Sequence, residues 1–256
     1  MRYVRYAHNN LTFWGLLLND DLIQPLTAAP YRQGVPQGQP IPLKAVHLLA
    51  PCEPGKIVAI GKNYHDHIQE FDSQMPKTPI IFIKPPTSVN DPGSPIVLPP
   101  AGLSKQVDYE CELALVISRT ARQIKAADAP AYILGYTCFN DVTARDIQKQ
   151  DGQWTRAKGF DGFAPVGPLV TDEVDPGNLT VRTRLNGRIM QESSTSRLIW
   201  PVGELIEFIT ACMTLLPGDV VTTGTPSGVG PMQSGDTVEI SIEGIGVLAN
   251  PVHAAG

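Results

Sequence analysis

Short apolar segments separated by glycine and proline run through most of the chain, and they predict strands in preference to long helices. Residues 107–117 give the clearest pattern, because every odd position is apolar or aromatic, as one buried strand face requires. The 24 prolines and 23 glycines agree with this pattern, since both residues interrupt helices and favour turns. Further strands are predicted at residues 57–60, 80–83, 133–139, 220–223, 237–242 and 246–252.

A few segments predict helices. Residues 63–71 begin with an asparagine that suits an N-cap, and a second helix is expected to run from Asn140 or Asp141 to about Gln150. Residues 201–216 carry apolar side chains at helical spacing and are followed by a Pro-Gly pair, which predicts an amphipathic helix. The expected fold class is therefore α+β and mainly β.

The first 50 residues differ from the rest of the chain. They contain short apolar pieces and a stretch rich in Pro, Gly and Gln at residues 30–42, which predicts a small β-rich N-terminal domain and a linker over residues 1–50. Residues 51–256 are expected to form the main domain.

Composition and charge exclude several classes of partner. The net charge of -5 provides no basic surface for nucleic acid or anionic lipid, and no apolar run approaches the roughly 18 to 20 residues of a membrane helix. The N-terminus lacks the apolar stretch of a signal peptide, so a cytoplasmic location is expected. The four cysteines are far apart in the sequence, which predicts reduced packing residues without zinc or disulfides.

Three acidic residues occupy even positions of the clearest strand. Because side chains alternate along a strand, Asp108, Glu110 and Glu112 are predicted to share one face. One interpretation is a solvated face that pairs with Lys or Arg on a neighbouring strand. The other is a metal site, since converging carboxylates repel one another without a cation, and all-oxygen ligands favour Mg, Mn or Ca over zinc.

Two predicted helices carry polar residues on one face. Asp141, Arg145 and Gln148 fall at i, i+4 and i+7, which could extend the metal site or could be a helix cap with an ion pair between Asp141 and Arg145. His67 and Glu70 fall at i and i+3, so the carboxylate could orient an imidazole that acts as general base, although a surface pair would show the same spacing.

The glycine-rich stretch at residues 222–230 could present N–H groups and hydroxyls to a carboxylate. It lacks the Lys-Ser/Thr ending of a nucleotide-binding P-loop, and a simple turn would look the same.

Six strings along the chain resemble one family of enzymes. The strings are GKNYHDHIQE at 61–70, IIFIKP at 80–85, VDYECELALVI at 107–117, GYTCFNDVTARDIQ at 135–148, AKGFDGFAPVGP at 157–168 and PGDVVTTGTPSGVGP at 217–231. In their order they are similar to the fumarylacetoacetate hydrolase family, over about residues 50–252. The resemblance implies a mixed β-sandwich roll with short helices, a catalytic domain at 51–256 and a variable N-terminal β domain before it.

The resemblance also implies a set of site residues. It makes Glu110, Glu112 and Asp141 the ligands of one Mg or Mn ion, with Ca as a further candidate. It makes His67 and Glu70 a water-activating pair.

Four more positions are implied to contact the substrate. Lys158 matches the family's substrate-binding lysine, Gln148 a polar contact beside the metal, and Thr225 the hydroxyl of a carboxylate-binding loop. Arg145, which shares the polar face of the predicted helix with Gln148, is grouped with the substrate-binding residues.

The implied activity is a metal-dependent hydrolysis of the C–C bond in a 2,4-dioxo acid of the acylpyruvate or fumarylpyruvate type, through an enolate that the metal stabilises. The alternatives are decarboxylation of an oxo acid such as oxaloacetate, isomerisation of a dienedioate such as 2-hydroxyhepta-2,4-diene-1,7-dioate, and non-catalytic binding of an oxo acid. The partner is then a small oxo acid, and the family further implies a homodimer or a dimer of dimers.

Overall fold

The computed structural model describes residues 1–66 and 74–255. The strands are β1 Arg2–His8, β2 Leu11–Leu17, β3 Leu22–Leu26, β4 Ile41–Pro42, β5 His47–Leu49, β6 Ile57–Gly61, β7 Ile80–Lys84, β8 Val89–Asn90, β9 Ile96–Leu98, β10 Val107–Tyr109, β11 Cys111–Ile117, β12 Ile133–Asn140, β13 Thr143–Ala144, β14 Ala164–Thr171, β15 Thr180–Leu185, β16 Arg188–Ser194, β17 Val220–Thr222, β18 Gly230–Pro231, β19 Thr237–Ile242 and β20 Gly246–Ala254. The α-helices of the described residues are α1 Arg145–Asp151, α2 Thr155–Lys158 and α3 Val202–Cys212.

A long, mostly antiparallel sheet forms the centre of the molecule. Its strand order is β4-β3-β2-β1-β14-β12-β11-β17-β6-β7, with β5 beside β1 and β8 beside β14. Strand β11 is buried along its whole length, because both faces of the sheet are covered. Its odd-numbered residues lie in the main hydrophobic cluster, whereas Ala114 and Val116 belong to a second cluster on the opposite face.

A second sheet, ordered β16-β15-β19-β20-β9, packs against the odd-numbered face of β11. Strand β19 shows the expected alternation, with buried Val238, Ile240 and Ile242 between more exposed residues. A small third sheet joins β13, β10 and β18. This arrangement confirms the prediction of a mainly β fold, a mixed sandwich with short helices.

Three predicted elements have different bounds in the structure. Residues 107–117 form two strands, since β10 pairs with β13 and β18 while β11 pairs with β12 and β17. The helix expected from Asn140 or Asp141 begins only at Arg145, because Thr143 and Ala144 pair with β10 first. The helix expected to reach residue 216 ends at Cys212, since the backbone of Leu215 pairs with Ala121.

The N-terminal strands extend the central sheet. Strand β1 pairs with β2 and β5 and also, through Arg2 and Tyr3, with β14. The division of the chain at residue 50 stays a prediction. The helix predicted at residues 63–71 runs into residues that lie outside the described ones.

No helix among the described residues combines the length and the apolar character that crossing a membrane requires. The four cysteines are free thiols, and all except Cys212 are buried.

Candidate active site

Glu110 and Asp141 are fixed to each other where the chain passes from the small sheet to the central sheet. Glu110 lies between β10 and β11, and its N–H donates to Oδ1 of Asn140 at 3.0 Å. The N–H of Asp141 in turn donates to the carbonyl oxygen of Glu110 at 2.9 Å. These two bonds bring the acidic strand and the end of β12 together.

Three carboxylates converge at this junction. Glu110, Glu112 and Asp141 are all buried, and each offers one oxygen within 4.8 Å of the others. Asp108, which the strand pattern places on the same face, is not part of the group. Its carboxylate accepts from the guanidinium of Arg145 at 2.8 Å instead.

Arg145 links several of the polar residues. Its Nη2 donates to Glu110 at 2.5 Å and its Nη1 donates to Oε1 of Gln148 at 2.6 Å, in addition to the bond with Asp108. The helical interpretation that paired Arg145 with Asp141 is therefore wrong, because Asp141 precedes the helix and is not one turn from Arg145 within it.

Two buried lysines occupy the other side of the acidic group. The Lys158 Nζ donates to Glu110 at 2.8 Å and to Asp141 Oδ2 at 2.6 Å. The Lys84 Nζ donates to Asp141 Oδ1 at 2.6 Å, so each oxygen of Asp141 accepts from an ammonium group. Both lysines are almost completely inaccessible, and Lys84 belongs to β7, far from the acids in sequence.

The buried charges do not balance. Among the described residues of this site, the buried carboxylates of Asp108, Glu110, Glu112 and Asp141 face three buried cations, which are Lys84, Arg145 and Lys158. Glu112 makes no ion pair with a described residue, and its Oε2 accepts from the N–H of Gly224 at 2.9 Å. Gly224 has a φ of +93°, a conformation in which other residues are strained.

Burial and the neighbouring charges together shift the pKa values of the site. Burial, together with the charges of Asp141 and Glu110, raises the pKa of Glu112 well above its usual value. Burial opposes the charged form of Lys158, but Asp141 and Glu110 outweigh it and raise the pKa of Lys158. Burial lowers the pKa of Lys84, and the Asp141 charge offsets this only in part.

This donor set fits a hard divalent cation. Three carboxylate oxygens converge, Glu112 lacks a cationic partner among the described residues, and the buried groups carry one negative charge too many. Oxygen donors of this kind favour Mg, Mn or Ca.

The acidic group lies in a cavity of about 250 Å³, a size that suits a small organic acid. Phe82 and Trp154 form part of the wall, with their rings edge to face at 5.2 Å between centroids. The Lys158 Nζ lies 5.1 Å from the centre of the Phe82 ring. Gly61 allows Trp154 to pack this closely, because a Cβ there would lie 2.4 Å from the indole.

Comparison with known proteins identifies the family. Residues 56–253 match the family described as fumarylacetoacetate (FAA) hydrolase C-terminal, and residues 1–51 match one described as Rv2993c-like, N-terminal. The chain belongs to the fumarylacetoacetate hydrolase family. Since the relatives in this family include isomerases and a tautomerase, this protein is an enzyme of the same family.

Three relatives illustrate the similarity. The mitochondrial oxaloacetate tautomerase of Rattus norvegicus is 44% identical over 224 residues, which cover 83% of this chain and 71% of the relative. The crystal structure of a 5-carboxymethyl-2-hydroxymuconate delta-isomerase from Mycobacterium smegmatis has a TM-score of 0.93 and 44% identity, covering 100% of both chains. A 2-hydroxyhepta-2,4-diene-1,7-dioate isomerase from Mycobacterium marinum has a TM-score of 0.92 and 44% identity, covering 100% of this chain and 99% of that one.

The fold brings most of the predicted site residues of this family member into one cavity. Seven of them line it: Glu110, Glu112, Asp141, Arg145, Gln148, Lys158 and Thr225. His67 and Glu70, the predicted water-activating pair, lie outside the described residues. Asp161, which lies in the string at 157–168 that resembles the family, is exposed and does not line the cavity.

Sequence reasoning missed Gln191, which positions Thr225. Gln191 is buried on β16, and its Nε2 donates to Thr225 Oγ1 at 2.9 Å. Its Oε1 accepts from the backbone N–H of Cys111 at 3.0 Å and from Thr183 Oγ1 at 2.7 Å. The only sequence signal was a lone glutamine in a strand, because Cys111 and Thr225 are distant from it along the chain.

Proposed function

We propose that this protein is a divalent-metal-dependent isomerase that moves a proton between carbon and oxygen of a small 2-oxo diacid. The observation that carries the proposal is the group of three buried carboxylates beside Lys158 in one small cavity. The names of the relatives support it, since they denote a tautomerase and two isomerases of oxo or hydroxy acids with more than one carboxylate.

Glu110, Glu112 and Asp141 would hold the ion, which we propose to be Mg or Mn. Such an ion supplies Lewis-acid stabilisation of negative charge on the oxo oxygen of a chelated 2-oxo acid. Zinc fits less well, because the described cavity residues offer no His or Cys beside the three carboxylates.

The protein residues would stabilise the charge that develops in the reaction. Removal of a proton from C3 leaves its electron pair in the C2–C3 bond and negative charge on the 2-oxo oxygen. Lys158 donates to Glu110 and Asp141, so its ammonium lies beside the residues that would hold the ion and would act as an electrostatic stabiliser of the developing charge. Gln148 would contribute a hydrogen bond, and the hydroxyl of Thr225 would contact the substrate carboxylate.

The proton itself requires a base, and we assign that role to His67, oriented by Glu70, on the family resemblance. In an isomerisation His67 would take the C3 proton and return it elsewhere on the substrate. In the hydrolysis of a 2,4-dioxo acid, the same residue would deprotonate water for attack on the C4 carbonyl. Hydrolysis is the second candidate, and the match to a hydrolase family supports it.

A product assay distinguishes these reactions. The purified protein, saturated with Mg²⁺ or Mn²⁺, would be incubated with oxaloacetate, 2-hydroxyhepta-2,4-diene-1,7-dioate and an acylpyruvate in separate reactions, with ultraviolet absorbance and mass spectrometry as readouts. We expect interconversion without change of mass for the first two acids. Cleavage of the acylpyruvate would establish the hydrolase instead, release of carbon dioxide would establish a decarboxylase, and no conversion of any acid would refute an oxo-acid enzyme.

The metal requirement has its own test. EDTA should abolish turnover and Mg²⁺ or Mn²⁺ should restore it, whereas the Glu110→Ala, Glu112→Ala double variant should stay inactive with either ion. Full activity of that variant would contradict the assignment of the ligands. A cytoplasmic location and a homodimeric state remain part of the proposal, on the sequence and the family resemblance respectively.

A further inference from the structure

Lys62 has a backbone conformation that lysine rarely adopts. It follows Gly61 at the end of β6, and its φ is +56°, in the left-handed region that favours glycine and asparagine. A non-glycine residue in this region costs free energy, and such residues concentrate at ligand-binding sites. Backbone geometry therefore does not explain why a lysine occupies this position, and its side chain is the feature to examine.

The strain is maintained by the residues on both sides. Gly61 is held in the central sheet by its pairing with Ile80. On the other side, the buried Asn63 donates from its amide to the carbonyl oxygens of Trp200 and Thr223, at 3.1 and 2.8 Å, and accepts from the N–H of Trp200 at 2.8 Å. Lys62 is thus fixed between two rigid anchors.

Lys62 is one of the residues that line the same cavity as the acidic group. It is half-buried, and its ammonium forms no hydrogen bond or ion pair with a described residue. This distinguishes it from Lys84 and Lys158, whose ammonium groups are bound to Asp141 and are fully buried. Of Lys62, Lys84 and Lys158, Lys62 is therefore the one whose ammonium is available to a ligand.

The charges of the cavity indicate what kind of ligand Lys62 would bind. Counted over the described residues of the site, four buried carboxylates and three buried cations leave one negative charge, so a divalent ion would change that balance to one positive charge. The chelating carboxylate of a 2-oxo acid would then neutralise the site. A second carboxylate in the same half-enclosed cavity would be uncompensated unless a further cation met it.

We propose that the Lys62 ammonium binds the carboxylate remote from the oxo group and so makes the site selective for 2-oxo diacids over monoacids. This inference rests on the proposed function, because it needs the oxo end of the ligand at the acidic group. Lys149 also lines the cavity, but it is exposed on α1, where a solvated charge discriminates less.

The test compares two ligands that differ only at the remote end. Isothermal titration of the Mn²⁺-saturated protein with 2-oxoglutarate and with 2-oxopentanoate sets a terminal carboxylate against a methyl group on the same five-carbon chain. We expect the wild-type protein to bind the diacid at least about tenfold more tightly, as one charge-assisted hydrogen bond provides.

The variants separate the charge of Lys62 from its backbone strain. Asparagine tolerates the left-handed region, so Lys62→Asn removes the ammonium without new strain. It should weaken 2-oxoglutarate binding by about 10-fold or more and change 2-oxopentanoate binding less than about twofold. Lys62→Arg should retain most of the preference, and Lys44→Asn, which removes an exposed lysine outside the cavity, should change neither affinity.

The outcomes distinguish this inference from the proposed function. If Lys62→Asn weakens both ligands equally, Lys62 has a structural role and the inference is wrong. If the wild-type protein binds both ligands with equal affinity, the inference fails while the oxo-acid site stands. If the wild-type protein binds neither ligand, the proposed function fails and the role of Lys62 fails with it.

Discussion

Replacement of Glu112 by glutamine should stabilise the metal-free protein. Glu112 is the buried carboxylate without a cationic partner among the described residues, and its oxygen lies within 4.8 Å of those of Glu110 and Asp141. The substitution keeps the shape of the side chain and an oxygen that can accept from Gly224. It removes only the surplus charge.

The magnitude follows from Coulomb's law. Two unit charges 4.8 Å apart repel by about 3 kcal/mol at an effective dielectric constant of about 20. Glu112 faces two such neighbours, and the three buried cations offset part of their repulsion. We therefore take the repulsion of one pair of carboxylates as the expected gain in the free energy of unfolding. In a chain of this size, about 3 kcal/mol corresponds to a rise in Tm of roughly 6 to 12 °C.

The gain should depend on pH. The pKa of Glu112 is raised in the folded state, so the folded protein binds this proton more tightly than the unfolded chain does. Its contribution to stability is fully present below the ordinary glutamate pKa of about 4.3 and is lost as the pH rises towards the raised pKa. The wild type should lose at most about 1.4 kcal/mol per pH unit in that window relative to Glu112→Gln.

Thermal melts in EDTA at several pH values between about 4.5 and 7.5 would measure this difference. Glu204→Gln, which neutralises an exposed glutamate on α3, is the matched control and should leave Tm nearly unchanged. Addition of Mg²⁺ should reverse the order, because it stabilises the wild type by mass action while the variant lacks one ligand. A folded Glu112→Gln variant that melts at or below the wild type in EDTA at pH 7.5 would refute the charge surplus.

Three other predictions concern positioning, proton transfer and assembly. Gln191→Leu should lower kcat/KM by on the order of 10-fold or more, because it releases Thr225. It should also lower Tm, because it leaves the Cys111 N–H unpaired. Unchanged kinetics with a lowered Tm would indicate a structural role alone. His67→Ala should lower kcat by on the order of 100-fold or more with metal binding retained, and near-normal turnover with a flat pH profile from about 5.5 to 8 would exclude His67 as the base. Light scattering at micromolar concentration should give a dimer or larger, and a single mass near 27.7 kDa would reject it.

Local periodicity predicted the parts of the fold that depend on local chemistry. The alternation at residues 107–117 identified a strand buried on its odd face, and the glycine and proline spacing indicated short strands throughout. Both follow from the two-residue repeat of strands and from the turns that these two residues impose. The family motifs added the ligand candidates, of which Glu110, Glu112 and Asp141 are grouped in the structure.

The geometry that joins those residues depends on competition between distant partners. Asp141 was expected on a helix with Arg145, but the backbone at Thr143 and Ala144 pairs with β10 and delays the helix. Asp141 reaches the site through its N–H bond to Glu110 instead. Local sequence cannot determine where this helix begins, because the hydrogen bonds that delay it are made with a strand more than 30 residues away.

The sequence by itself determined which faces are apolar, where the chain turns and which residue types are present for chemistry. Only the tertiary structure decided that Lys84 from β7 and Lys158 from α2 meet the same carboxylate, and that Gln191 from the second sheet holds Thr225. It also decided that Lys62 is fixed in a left-handed conformation beside the cavity. The reason is physical: periodicity records burial within one element, whereas the charge balance and hydrogen bonds of a site are set by elements that only packing brings together.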